Sequence, residues 1–428
     1  MTSPLARRQI SAAAMSILML ALVVRLTAVL LIHNAQYSDS VWYDNAATRL
    51  ATIHEYGVSG RSAWFPPGYP MFLAAIYAFA GHSQLAGRIA NAVLGAITCL
   101  LVYLTGRRLV GERQGLAAGA LVAIWPNLVF HTLILDSETL SAAQFTAVIW
   151  IGTLPADTRR AFWLRAVAFG LLLGWSMLTR PAAAILVVAV ATYWALQTRS
   201  PREIVRVLAV PVLIASVFIV GWSARNRAQF GEWIPVSTNG GYNFWQANNA
   251  YANGNDTFWP SVPRGIPEFE TMRSGDEFTR NREGYRYGLA FLRAHPWHPL
   301  TSAWTKFMWL YHTDTSGLYE GVLNAPELSP SGVAAWFKRH QHLAESLTFR
   351  FYFVVMLLAL AALLLAAPST RPAIWSLASL GVLLLGFHLF FHAKDRFHVP
   401  LAPAFALMAG VTTMWLYDAA RRRTVAAP

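Results

Sequence analysis

Apolar residues in this chain come in long blocks, without the polar gaps of an amphipathic helix. Met15–Ile32, Ala90–Leu104, Phe351–Ala367 and Ile374–Phe391 are blocks of this kind. A run of about 20 such residues crosses a bilayer as a helix. Inside lipid, every backbone N–H and C=O needs an internal partner, which makes helices the expected form. The pattern predicts an all-α polytopic membrane protein with about ten transmembrane helices (about 10 to 13). The predicted spans are roughly 13–33, 87–105, 115–132, 138–154, 163–179, 181–197, 205–223, 347–367, 373–392 and 398–418. Two apolar pieces are too short to span. Gly68–Ala80 reads as an interfacial or re-entrant helix, and Trp297–Tyr311, with Lys306 in its middle, is similar.

Charge then orients the spans. Only 13% of residues are charged and 55% are hydrophobic, whereas a soluble domain carries roughly 25% charged residues. The net charge of +13 comes almost wholly from Arg, since Lys306, Lys338 and Lys394 are the lysines. The basic residues cluster at Arg7–Arg8, Arg107–Arg113, Arg159–Arg165, Arg199–Arg206, Arg371 and Arg421–Arg423. Placing all of these in the cytoplasm satisfies the positive-inside bias. The excess therefore reads as topology, not as nucleic-acid binding. Both termini fall inside. The long polar segments 34–86 and 224–346 fall outside, while the cytoplasmic loops are too short to build a site. The same orientation keeps Gly68–Ala80 out of the spans, because a crossing there would put Arg107, Arg108 and Arg113 outside. The stretch after Arg7–Arg8 runs to about Ile32, longer than a signal-peptide core, and reads as an uncleaved first helix. Cys99 is the sole cysteine, so an internal disulfide is excluded. With no repeat or linker, residues 1–428 form a single multi-pass domain in the plasma (inner) membrane, with its chemistry extracytoplasmic.

The candidate chemistry follows the outer face. Asp39 comes a few residues after the first span. A carboxylate there suits general-base work, or it starts a helix as an N-cap. Asp44 is a second candidate. Arg25 sits in mid-span, Arg180 between two apolar runs, and Asp136 and Glu138 at the start of a span. Lys394, Asp395 and Arg396 lie between the last two spans. Ionisable residues at such places are functional candidates or internal ion pairs. His388 and His392 have i, i+4 spacing, with His398 nearby, but no carboxylate or Cys completes a metal set. Trp64, Tyr242, Trp245 and Trp259 suit either sugar stacking or interface packing.

Several ordered motifs resemble the polyprenyl-phosphate-sugar-dependent glycosyltransferases of the C superfamily. The likeness is to the bacterial relatives of dolichyl-phosphate-mannose protein mannosyltransferases and to the lipid A aminoarabinose transferase. Asp39 with Tyr43, Ala47 and Leu50 resembles the acidic first-loop motif. Pro66-Pro-Gly-Tyr69-Pro, then Gly81 and Arg88, resembles the following segment. Leu133-Ile-Leu-Asp-Ser-Glu138 and Leu178-Thr-Arg-Pro181 resemble two later turns. Gly221–Asn226, Phe230-Gly231, Pro235–Gly241 with Asn239, and Asn248-Asn249 form the most specific stretch. His295-Pro296 with Lys306, and Arg396–Pro400 with Pro403, complete the order. The first loop has Asp39-Ser40 where the protein mannosyltransferases have an Asp-Glu pair, and the C-terminal soluble domain of some relatives is missing.

The resemblance implies a glycosyltransferase C type fold and transfer of a sugar, with inversion, from a polyprenyl-phosphate donor to a hydroxyl of a glycan, lipid or protein acceptor. It implies no cofactor and no metal. Asp39 would be the base, with Asp44 and Glu138 as further acidic candidates. Arg180, Arg225, Lys306 and Arg396 would hold the donor phosphate, as would Arg25, which, lying deeper, would otherwise hold Asp39 or a helix partner in place. Tyr43, Tyr69, Asn239 and Asn248 would contact substrate. Two other classes fit parts of the pattern: a transporter or flippase for lipid-linked sugars, and a non-catalytic partner in envelope polysaccharide synthesis. A transporter predicts polar groups in both membrane halves and internal repeats, neither of which is seen here.

Overall fold

The computed structural model describes residues 12–33, 35–58, 63–255, 259–325 and 332–426. Arg7 and Arg8 lie outside the described residues. From the N-terminus the chain forms α1 (Ala12–Leu31), α2 (Asp39–Ile53), α3 (Gly68–Ala80), α4 (Gln84–Leu109), α5 (Glu112–Ile124), α6 (Pro126–Phe130) and α7 (Ser137–Gly152). It continues with α8 (Arg159–Thr179), α9 (Ile185–Thr198), α10 (Pro201–Phe230), α11 (Asn239–Ala247), α12 (Pro267–Ser274) and α13 (Glu277–Ala294). Short helices α14 (His298–Thr301), α15 (Ala303–Tyr311) and α16 (Ser316–Leu318) follow. The last runs into a π-turn over Tyr319–Leu323. The chain ends with α17 (Gly332–Arg339), α18 (Gln341–Leu365), α19 (Arg371–His388), a 3₁₀ segment (Asp395–Leu401) and α20 (Ala402–Ala426).

Each predicted span falls on helical chain, although 115–132 is broken between α5 and α6 and 398–418 begins in the 3₁₀ segment. Among the described residues, seven helical stretches are long and apolar enough to cross a membrane, and the bent pair Glu112–Ile124 and Pro126–Leu133 makes up to eight. α7, with 16 residues, is too short on its own, and α19 is flanked by Arg371 and His388. About ten spans therefore describes the chain. Gly68–Ala80 is a short apolar helix, as expected.

Small residues set the helix spacing. Without a hydrophobic drive between helices in lipid, close backbone approach supplies the packing. Gly106 of α4 lies against Gly115 of α5, leaving no room for a Cβ at either position. Gly170 and Gly174 of α8 do the same against Pro211, Ile214 and Phe218 of α10. At one end of the bundle, Arg108 donates to the Thr153 carbonyl, Arg165 to that of Leu154, and Arg113 pairs with Asp418. The basic clusters of the sequence therefore gather at common helix ends.

The bend between α5 and α6 has a clear cause. Pro126 has no N–H, so the carbonyl four residues earlier, Val122, loses its helical donor. Arg25 supplies the missing donors: NH2 to Val122 O at 3.0 Å and NH1 to Ala123 O at 3.0 Å. Its side chain is buried. An arginine in mid-span is thus spent on satisfying a broken helix.

Candidate active site

Four chain segments meet at one end of the bundle, and each delivers charge. The first is the start of α2. Ser38 adopts φ 56°, a left-handed conformation that costs strain for a non-glycine residue. The turn makes Asp39 the first helical residue, with Ser38 in the N-cap position. The Asp39 carboxylate instead reaches Arg396, with Oδ2 accepting from NH2 at 2.7 Å. Asp39 and Arg396 stand 357 residues apart in sequence.

The second segment is the entry to α7. Asp136 caps this helix by accepting from the Glu138 N–H at 3.3 Å. That holds Glu138 on the inner face, where it is buried and pairs with Arg180. The third segment is the end of α8. Arg180 leaves the helix in extended conformation before Pro181, and its Nε also donates to Ser137 Oγ at 3.1 Å. The fourth is the 3₁₀ segment carrying Arg396. Besides Asp39, its guanidinium lies 3.6 Å from Glu320 and 4.0 Å from Glu138. Glu320 is presented by the π-turn, a rare geometry common at functional sites.

The turn before α3 fixes the arginine position. A Cβ on Gly68 would lie 2.7 Å from Thr179 Cα, and Trp175 Nε1 donates to the Gly68 carbonyl at 3.2 Å. Gln144 holds the Thr179 hydroxyl from the other side at 3.1 Å. Gly68→Ala must push the Thr179–Arg180 turn aside. The transfer that the sequence motifs imply should then fall by up to about 10²-fold, the cost of an ångström-scale misplacement in a reacting site. Full activity of purified Gly68→Ala protein would show that the turn does not set Arg180.

The electrostatics are crowded. Asp39, Asp136, Glu138 and Glu320 face Arg180, Arg396 and His131. His131 Nδ1 lies 3.3 Å from Asp136. Burial pushes the Glu320 carboxyl above its ordinary value, with Arg396 and His131 opposing. Burial, then the charge of Glu138, also pushes the Asp136 carboxyl up. His131, Asp136 and Glu138 offer ligand atoms within 4.8 Å of one another. These are the residues that could hold a metal ion, although Arg180 already occupies Glu138.

Residues 65–222 match the family described as dolichyl-phosphate-mannose-protein mannosyltransferase. No curated protein matches the chain in sequence. Among solved structures, the oligosaccharyltransferase AglB of Archaeoglobus fulgidus, in complex with an inhibitory peptide and a dolichol-phosphate, is similar. It has 13% identity and a TM-score of 0.52, over 97% of this chain and 52% of that one. The Archaeoglobus fulgidus oligosaccharyltransferase in complex with Zn and sulfate gives 14% identity and a TM-score of 0.54, over 95% and 50%. ArnT from Cupriavidus metallidurans bound to undecaprenyl phosphate gives 16% identity and a TM-score of 0.49, over 93% and 77%. The chain spans about half the length of the archaeal structures. The chain has the glycosyltransferase C fold. The resemblance carried by the sequence motifs is borne out.

Within this glycosyltransferase C fold, the predicted site residues divide. Asp39, Glu138, Arg180 and Arg396 come together. Tyr43 is buried beside them, close enough to feel all four charges, and packs edge-on to Tyr69. Asp44 faces another way. It accepts from Tyr77 at 2.5 Å, His82 at 3.1 Å and Gln84 at 2.7 Å, tying α2 to the turn between α3 and α4. Tyr69 is fully buried and bonded to Asn91. Asn248 is buried too, its amide donating to the carbonyls of Phe244 and Phe390. Asn239 is half-buried and accepts from Ser237. Arg225 lies over Trp222, Phe230 and Tyr56 and donates to Asn226. Arg25 is the cap of α5 described above, so its contacts are those of the second alternative, a residue that holds a helix partner in place. Asp44, Tyr69, Asn248, Arg225 and Arg25 are thus taken up by structural contacts.

Lys306 also has a backbone partner. It is fully buried, and Nζ donates to the Leu389 carbonyl at the end of α19 at 2.6 Å. Burial pulls its ammonium down to about 8. The folded chain therefore sheds this proton at lower pH than the unfolded chain, whose lysine titrates near about 10.4. Stability should rise with pH across that window. Lys306→Met should flatten the rise in thermal unfolding in detergent and leave polyprenyl-phosphate binding unchanged. Weakened binding would return Lys306 to the donor site.

The three histidines do not converge. His388 Nδ1 meets the His392 carbonyl at 2.6 Å, whereas His398 bonds Leu310 and Asp314. Two site residues escaped the sequence. His131 lies in an apolar run, and Glu320 sits in a loop with no periodicity. The Asp136-Ser-Glu138 spacing was the visible signal nearest to both.

Proposed function

We propose that this chain is an inverting glycosyltransferase that moves a sugar from a polyprenyl-phosphate donor to an acceptor hydroxyl on the extracytoplasmic side of the membrane. The observation that carries the reading is the Asp39–Arg396 contact. It puts a candidate base and a candidate phosphate-binding cation within one hydrogen bond, with Arg180 joined through Glu138. The fold adds support, since AglB of Archaeoglobus fulgidus is described in complex with a dolichol-phosphate. The basic helix ends at the far side favour a cytoplasmic location there, which leaves the site and the segments 34–86 and 224–346 outside.

In this mechanism the acceptor oxygen attacks the anomeric carbon as Asp39 takes its proton. The bond from that carbon to the phosphate oxygen breaks, and the polyprenyl phosphate leaves with the electron pair. Arg180 and Arg396 stabilise the growing charge on the phosphate. Arg suits this because its planar fork meets two phosphate oxygens at once. Glu138 holds both guanidiniums in register.

The test is to incubate purified protein with a panel of polyprenyl-phosphate sugars and an envelope glycan, lipid and peptide fraction. Release of polyprenyl phosphate with a new glycosidic bond is expected for one donor. Sugar-lipid that is bound but never consumed across the panel would favour a flippase.

A further inference from the structure

We propose that Asp395 is a positioning residue for Arg396 and Glu320, acting through a buried polar knot with Asp314 and His398. This deepens the reading of the site as a donor-phosphate site and depends on that reading only for its ligand measurement.

Three chain stretches meet behind the site: the break 125–138, the stretch 310–320, and 394–398. Each carries a charged site residue, namely Glu138, Glu320 and Arg396. Asp395 joins the last two stretches. Its Oδ2 accepts from the backbone N–H groups of Thr315 and Ser316, at 3.2 and 3.0 Å, at the start of α16, which runs on into the π-turn. Its Oδ1 accepts from the N–H of Arg396 at 2.9 Å. One carboxylate thus fixes the backbone of Arg396 and the start of the helix that bears Glu320.

Asp314 joins the same stretches to the first. It is buried, and its Oδ2 accepts from Trp125 Nε1 at 2.6 Å. Its Oδ1 accepts from Asn127 at 2.5 Å and meets His398 Nε2 at 3.0 Å. The other nitrogen of His398 meets the Leu310 carbonyl at 2.5 Å. A carbonyl only accepts, so Nδ1 carries a proton. Asn127 returns the tie by accepting from Gly317 N–H at 2.7 Å, and His131 meets Ser316 Oγ at 3.2 Å. A Cβ on Gly317 would lie 2.8 Å from the Asn127 carbonyl, so the stretch is pressed onto the helix break.

The chemistry of the amide makes this testable. Both oxygens of Asp395 accept from backbone donors. Asparagine is isosteric but has one acceptor oxygen, so its NH₂ must face an N–H. Asp395→Asn therefore releases either Arg396 or the 315–316 turn without touching the guanidinium.

The experiment is a double-mutant cycle for Asp39 and Arg396, read by thermal unfolding in detergent. It is run in the wild-type and the Asp395→Asn backgrounds. The pair should be non-additive in the first and additive in the second. Where Asp395→Asn gives no folded protein, His398→Gln serves, because it leaves Asp314 or Leu310 without a donor. Undiminished coupling in the variant background overturns the proposal. In parallel, binding of a polyprenyl monophosphate to Asp395→Asn should weaken about tenfold, with the acceptor KM unmoved. The double variant with Arg396→Ala should bind no more weakly than Arg396→Ala alone. Multiplying losses would mean that Asp395 acts as general scaffold. If the wild type binds no polyprenyl phosphate yet the Asp39–Arg396 coupling depends on Asp395, the positioning role stands and the donor reading falls.

Discussion

Asp39→Asn should lower sugar transfer by about 10²–10⁴-fold, the range for loss of a general base, while the variant binds polyprenyl phosphate at least as tightly as the wild type. The second half of this expectation comes from the contact with Arg396. In the free protein the Asp39 carboxylate occupies a guanidinium that an incoming phosphate also needs. Asparagine removes the competing charge and keeps the shape. A variant that loses transfer and donor binding together would make Asp39 a structural partner of Arg396 and not a base. Near wild-type turnover would remove it from the chemistry altogether. A non-catalytic assembly partner would show no dependence on this side chain.

Arg396→Ala carries the second large effect. Three carboxylates, from Asp39, Glu138 and Glu320, approach that one guanidinium. Truncation leaves them facing one another with Arg180 and His131 as the remaining cations. A hydrogen bond to a charged group contributes about 1.5–3 kcal/mol, so donor affinity should fall by roughly 10–100-fold. Stability should fall as well, because like charges in a mostly buried site are left uncompensated. Arg396→Lys should rescue little, since a single ammonium cannot bridge several carboxylates and a phosphate. Titration of labelled polyprenyl phosphate against wild type, Arg396→Ala and Arg396→Lys checks both statements. Equal affinity in all three would sink the electrostatic assignment.

The fold was legible in the sequence because membrane helices announce themselves one at a time. Apolar blocks and basic clusters are local signals, and the short helix Gly68–Ala80 followed from its length and from charge placement. The site was legible only where a residue sat in an ordered motif. Asp39, Glu138, Arg180 and Arg396 are of that kind. Asp44, Lys306 and Arg25 are charged and buried too, but their partners are Tyr77, a Leu389 carbonyl and two α5 carbonyls. Whether a buried charge serves a substrate or a backbone group depends on which helix ends beside it, and spacing within one segment does not encode that. Glu320 was missed for a related reason. Its importance rests on a π-turn and on Arg396, 76 residues further on, and neither leaves a periodic trace.

The cap that Arg25 forms on α5 also bears on how this chain can change over generations. The guanidinium reaches Val122 and Ala123 only because Gly95 leaves space, since a Cβ there would lie 2.7 Å from Arg25 Cδ. The Val122 carbonyl needs it because Pro126 donates nothing. Positions 25, 95 and 126 therefore form one heritable unit spread across three helices. A related chain with a side chain at position 95 should have lost the arginine, and one without the proline should have been free to lose it.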